Sequence, residues 1–259
     1  MKLKIFKIIL FFLFVLGVFS YAQDEWKEYK QQHFIVYYKD APQDFIKSVE
    51  EAAENYYHEI ASNLGFTRYD SWTWDDRAKI YIYDDSDDYV KSSKQAQWSH
   101  GVASPQDKVI RTFPAAHGFF DSILPHELGH IIFREFVGFQ VQVPLWFEEG
   151  VAMYQEKAKR WGANQEVLKA MQKGNFIPLN ELTLMGLGGG TDTDTVNLFY
   201  AEAASVVYYM ITELGEYRFV QFCRKLKETN SFEFALRDVY VRFKDFNDLN
   251  RAWMEYIKK

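Results

Sequence analysis

The sequence predicts an α+β fold, with a small mixed β-sheet lobe over residues 23–120 and a mostly helical lobe over 121–259. Three observations carry that expectation. Short runs rich in β-branched and aromatic residues stand in the first half. From Asp121 onward, apolar residues recur at helical spacing. The segment His126-Glu127-Leu128-Gly129-His130 lies where one pattern gives way to the other, so a cleft between the lobes would run past it.

The elements follow in order. Met1 to Lys7 carries Lys2, Lys4 and Lys7, and Ile8 to Phe19 is an apolar run of twelve residues. Ser20-Tyr21-Ala22 then puts small residues at the positions that precede a signal-peptidase cut, so residues 1–22 read as an export signal cleaved before Gln23. No cysteine follows the apolar run to carry a lipid. The run is short for a membrane span, and no stable membrane insertion is expected once it is removed. Periplasmic or secreted residence follows.

His33 to Tyr38 is expected as a strand, Pro42 to Asn63 as a helix with Phe45, Val49, Ala53 and Tyr56 on one face, and Lys79 to Tyr83 as a second strand. Asp84 to Asp88 reads as a solvated turn and helix cap. Gly101 to Arg111 reads as an edge strand beside the central helix. Helices are expected over 121–137, 144–158, 163–173, 197–214, 216–228 and 246–257. Pro125 falls within the first turn of the first of these, where its missing N–H costs nothing, and Gly138 is its stop. Gly186 to Thr195 reads as a loop rather than a calcium site at Asp192 and Asp194.

His126 and His130 are four residues apart, hence one turn apart on the same helix face, and both imidazoles can reach one metal ion. Glu127 between them is placed to act as general base on a water in the metal's open position. A third protein ligand must come from elsewhere. Trp146-Phe147-Glu148-Glu149-Gly150 offers one, with eighteen residues between His130 and Glu149. The plain alternative is a helix whose two histidines flank a salt-bridging glutamate. A ligating histidine needs an acceptor for its second ring nitrogen, and Glu156, seven residues after Glu149 and so on the same helical face, is the candidate.

These residues resemble the gluzincin zinc peptidases, the group of thermolysin and the aminopeptidase-N-like enzymes, and within it the small bacterial peptidase-MA-like domains. The resemblance implies a thermolysin-like core, with Zn2+ held by His126, His130 and Glu149 rather than Glu148. Tyr200-Ala201-Glu202-Ala203-Ala204-Ser205-Val206 is similar to the segment whose tyrosine stabilises the oxyanion, with Glu202 and Ala203 where relatives have lysine and glycine. Tyr200 is thereby implied as a catalytic donor. The edge strand is implied to pair with the substrate backbone. No Gly-x-Met-Glu-Asn segment stands near Gly101 to anchor a substrate amine, which points to an endopeptidase rather than an aminopeptidase.

Composition narrows the rest. The chain of 259 residues has a formal charge of -6; the signal holds three lysines and no acid, so its removal leaves -9. Such a balance offers no footprint for nucleic acid. Hydrophobic residues make up 48%, enough for a single domain over 23–259 with a substantial core. The one cysteine, Cys223, excludes an internal disulfide and reads as a buried small hydrophobe. His33, His58, His100 and His117 are expected to be structural or exposed, and Trp72, Trp74 and Trp98 fit carbohydrate stacking and core packing equally well. The expected function is zinc-dependent hydrolysis of peptide bonds in a peptide or protein substrate through a metal-activated water. The alternative is an exported binding module without catalysis, against which the intact Glu127 argues. Nothing in the sequence speaks to oligomeric state.

Overall fold

The computed structural model describes residues 26–66, 72–95, 97, 99–114, 118–188 and 190–259. The export signal over 1–22, His117 and Trp98 lie outside the described residues. Among the described residues, no helix is long and apolar enough to cross a membrane.

Five strands form one mixed sheet in the order β1-β2-β3-β5-β4: β1 (Lys27–Lys30), β2 (Phe34–Tyr38), β3 (Ala78–Ile82), β4 (Gly101–Ser104) and β5 (Val109–Thr112). β2, β3 and β5 run parallel, and β1 and β4 pair antiparallel at the two edges. In β2 and β3 every second residue is buried: Phe34, Val36 and Tyr38, then Ala78, Ile80 and Ile82. Helix α1 (Gln43–Asn63) joins these strands and buries Ile46, Val49, Ala53, Tyr57 and Ile60. One face of the sheet is thus covered, while Ile35, Tyr37, Lys79 and Tyr81 alternate onto a half-buried second face.

The single edge strand expected over 101–111 is instead a hairpin. Ser104-Pro105-Gln106-Asp107-Lys108 supplies turn chemistry: Pro105 has no N–H for a ladder, Ser104 Oγ donates to Asp107 at 2.9 Å, and Lys108 turns the chain at φ 52°. Only β4 is the edge, and β5 lies inside the sheet. Helix α2 (Ser86–Ser93) starts where the acidic cluster was expected to cap, with Asp85 accepting from the Asp88 N–H at 2.8 Å.

The helical part comprises α3 (Leu124–Val137), α4 (Leu145–Met153), α5 (Lys157–Lys173), α6 (Leu179–Leu184), α7 (Thr193–Tyr208), α8 (Glu216–Thr229), α9 (Phe232–Val239) and α10 (Phe246–Ile257). The helix expected over 144–158 ends at Met153, and α5 begins six residues before its expected start. Asp192 is spent on capping α7, where it accepts from the Thr195 N–H and hydroxyl. Cys223 is fully buried in α8, as its apolar neighbours require.

Two glycines set the spacing around α4. A Cβ on Gly129 would come within 3.0 Å of Ala152 Cα, and one on Gly150 would overlap the Ala203 carbonyl oxygen. Backbone therefore meets backbone where α4 crosses α3 and α7. Larger residues there would push apart the three helices that carry the candidate site.

Candidate metal centre

Helix α3 presents His126, Glu127 and His130 to a cleft of about 540 Å³, whose other walls come from β4, α4 and α7. Pro125 starts the helix, Gly138 ends it, and Leu124, Leu128, Ile131 and Ile132 anchor its far side in the core. The ring nitrogens meet from one turn apart: His126 Nε2 lies 3.1 Å from His130 Nε2. Glu149 Oε2 approaches these atoms at 3.5 and 3.9 Å. Tetrahedral zinc with bonds of about 2.1 Å spaces its ligands about 3.4 Å apart. The three separations bracket that value, so His126, His130 and Glu149 form a group that could hold one ion.

The electrostatics agree. Burial opposes charge on His126, but hydrogen bonds to Glu149 and Glu156 prevail and raise its imidazole to about 10. Burial and the neighbouring His126 hold the His130 imidazole below its ordinary value. Burial also works against Glu149, yet His126 and His130 keep its carboxyl below the usual range. The cluster of carboxylates calls for positive charge at the point where the nitrogens converge.

Each histidine has a carboxylate behind it. His126 Nδ1 lies 2.9 Å from Glu156, and Ser122 Oγ donates to the other oxygen of that carboxylate. Glu156 reaches His126 from the break between α4 and α5, not from the helical face that the spacing after Glu149 suggested. Glu148 lies 3.8 Å from His130 Nδ1 and is held by Arg134 through both oxygens. Arg134 also donates to the Val141 carbonyl at 2.8 Å, which pins the connection between α3 and α4. Neither Ser122 nor Arg134 was singled out from the sequence. The signal was available, since each lies four residues from a histidine on the same helical face.

Tyr200 faces this group from α7 and lines the same cleft. Burial first, then Glu149, Glu127 and Glu156, push its phenol up to about 12, so it stays a hydrogen-bond donor. At the opposite wall a Cβ on Gly101 would lie 3.8 Å from Glu127 Cγ, so the start of β4 runs directly past that carboxylate. His100 also lines the cleft.

A second group, His33, Glu54 and His58, also has its ligand atoms close together. There Glu54 is already engaged, accepting the His33 backbone N–H at 2.8 Å and meeting its Nδ1 at 2.6 Å. His33 further stacks on Tyr57, in keeping with a structural part.

The family model that describes the Peptidase MA superfamily matches residues 72–259, from the segment before β3 to the C-terminal residue. No curated protein matches the chain.

Proposed function

The chain belongs to the Peptidase MA superfamily, and we propose that it is a zinc-dependent endopeptidase acting on peptides or proteins outside the cytoplasm. The observation that carries this reading is the convergence of His126, His130 and Glu149 at separations suited to one tetrahedral ion, with Glu127 beside them. A zinc ion held there would supply a Lewis acid for a water and for a substrate carbonyl. Glu127 takes the proton of the attacking water on its carboxylate and delivers it to the leaving amine. Tyr200 keeps its proton and donates to the oxygen that gains charge in the transition state. Glu156 fixes the His126 imidazole through its Nδ1, and Glu148 sets a negative charge 3.8 Å behind the Nδ1 of His130. The outer side of β4 has no strand partner among the described residues, so an extended substrate can add to it and lie across Glu127. Export rests on the basic, apolar and small-residue order of residues 1–22.

Hydrolysis of an unbiased peptide library, with and without a chelator, tests the reading. The wild type should cut internal bonds and stop when metal is removed. Glu127→Gln should bind zinc and fold but lose roughly 100- to 10,000-fold in rate. A zinc-loaded wild type with no cleavage, or an equally active Glu127→Gln variant, would overturn it.

A further inference from the structure

Away from the cleft, His33, Glu54 and His58 each bring one ligand atom to within 4.8 Å of the others. Glu54 and His58 are four residues apart on α1, hence one turn apart on one face. His33 stands just before β2, and its backbone is fixed on both sides. The Ala78 N–H donates to its carbonyl at 2.9 Å, and its own N–H donates to Glu54 Oε1 at 2.8 Å. Its ring is buried, stacks on Tyr57 with centroids 4.2 Å apart, and meets Glu54 Oε2 through Nδ1 at 2.6 Å. The contacts that give His33 its part in the fold thus also hold its imidazole in one orientation, as a ligating histidine requires. His58 sits edge-on to His33 with centroids 5.5 Å apart and is exposed.

The surroundings lack positive charge. Among the described residues the ion-pair partner of Glu54 is His33, not a lysine or arginine. Glu50 lies buried one turn earlier on α1, and its carboxyl is raised by burial and then by the charges of Glu54 and Glu51. A cation at Glu54 offsets that repulsion.

We propose that His33, Glu54 and His58 hold a second divalent ion, Zn2+, which staples the start of β2 to α1. Two imidazoles and a carboxylate suit zinc better than calcium or magnesium, which prefer all-oxygen sites. Glu54 keeps acceptor positions beyond the two that His33 uses, because a carboxylate has about four. Zinc with bonds of about 2.1 Å spaces its ligands about 3.4 Å apart. His58, being exposed, can close that gap, while His33 and Glu54 are already held. The exposed side leaves the fourth position to water.

Metal-free protein is titrated with zinc chloride against a chromophoric chelator, with free zinc in the micromolar range. The wild type should take up two equivalents, and Glu149→Ala, which lacks the third ligand of the cleft, should take up one. Adding His58→Ala should remove that remaining equivalent or weaken it by more than about 100-fold, beyond the loss of an orienting partner alone. Saturating the second site should raise the unfolding midpoint of Glu149→Ala by about 5 °C, and His58→Ala should abolish the rise. If Glu149→Ala does not fold, the comparison is two equivalents in the wild type against one in His58→Ala, whose exposed position spares the core. A wild type that binds a single equivalent, or a second equivalent that survives His58→Ala, overturns the proposal. Failure of the peptidase reading shows separately, as a cleft without zinc or hydrolysis while the equivalent that depends on His58 is still bound.

Discussion

Arg134 holds Glu148 through both carboxylate oxygens, and this pairing decides which of two adjacent glutamates is free to face His126 and His130. Glu148 is committed to the guanidinium and to the back of His130, whereas Glu149 points between the two Nε2 atoms. Charge-assisted bidentate pairs of this sort are geometrically exacting.

The first prediction follows directly. Glu149→Ala should lose zinc, with less than a tenth of an equivalent retained after dialysis, while Glu148→Ala should keep about one equivalent. Elemental analysis of both variants checks it. Zinc lost only from the Glu148 variant would mean that the third ligand is misassigned by one residue.

Glu156 carries the second prediction. It is buried, it orients His126 through Nδ1, and Ser122 occupies its other oxygen. Glu156→Gln preserves the shape but removes the charge that makes His126 a stronger ligand. Zinc affinity, measured by competition with a chromophoric chelator, should fall roughly 10- to 100-fold. Ser122→Ala should move it in the same direction by less. An unaltered affinity in Glu156→Gln would reduce this residue to a packing role.

Third, Glu202 should make stability depend on pH. It is fully buried in α7, where Oε1 accepts the Ile177 N–H at 2.9 Å and Oε2 has no partner among the described residues. Burial pushes its carboxyl from 4.5 up to about 8. Between those values the unfolded chain gives up a proton that the folded chain keeps. The contribution of Glu202 to stability is therefore greatest below 4.5, falls as pH rises through this window, and levels off above about 8. Glu202→Gln should flatten that slope and raise the unfolding midpoint at neutral pH relative to the wild type. Parallel pH profiles for the two proteins would contradict the assignment.

The legible parts of the molecule were those in which local spacing alone decides the outcome. His126 and His130 must share a face because four residues make about one turn, and Gly138 stops their helix with φ 103°. The mixed sheet followed by helices was equally visible in the change of periodicity. Elements set by tertiary contact were not. β1 alternates no buried face and exists by pairing with β2, while α6 is a six-residue helix that buries only Leu179 and Leu182. Glu156 shows the same divide: the residue was found, but by assuming a continuous helix that breaks after Met153. Buried partners outside the helical ladder are met there instead, with Gln155 donating to the Val151 carbonyl and Glu156 meeting His126. Arg134 and Ser122 stand four residues from His130 and His126, but the carboxylates they bind, Glu148 and Glu156, lie on other elements, and that pairing has no signature in local spacing.

The last prediction concerns Tyr200. Its phenol lies among Glu127, Glu149 and Glu156 and remains protonated well above neutral pH. A neutral donor facing a cluster of carboxylates has one chemical opportunity that the carboxylates lack, which is to donate to an oxygen gaining negative charge. That bond forms mainly in the transition state, so Tyr200→Phe should lower kcat by roughly a hundredfold and leave KM within about threefold. Zinc content and unfolding temperature should stay at wild-type values, because the ring still packs against Phe199 and the α7 surface. Were Tyr200→Phe instead to raise KM with kcat intact, the hydroxyl would be a ground-state contact in the wall of the cleft rather than a donor at the reacting carbonyl.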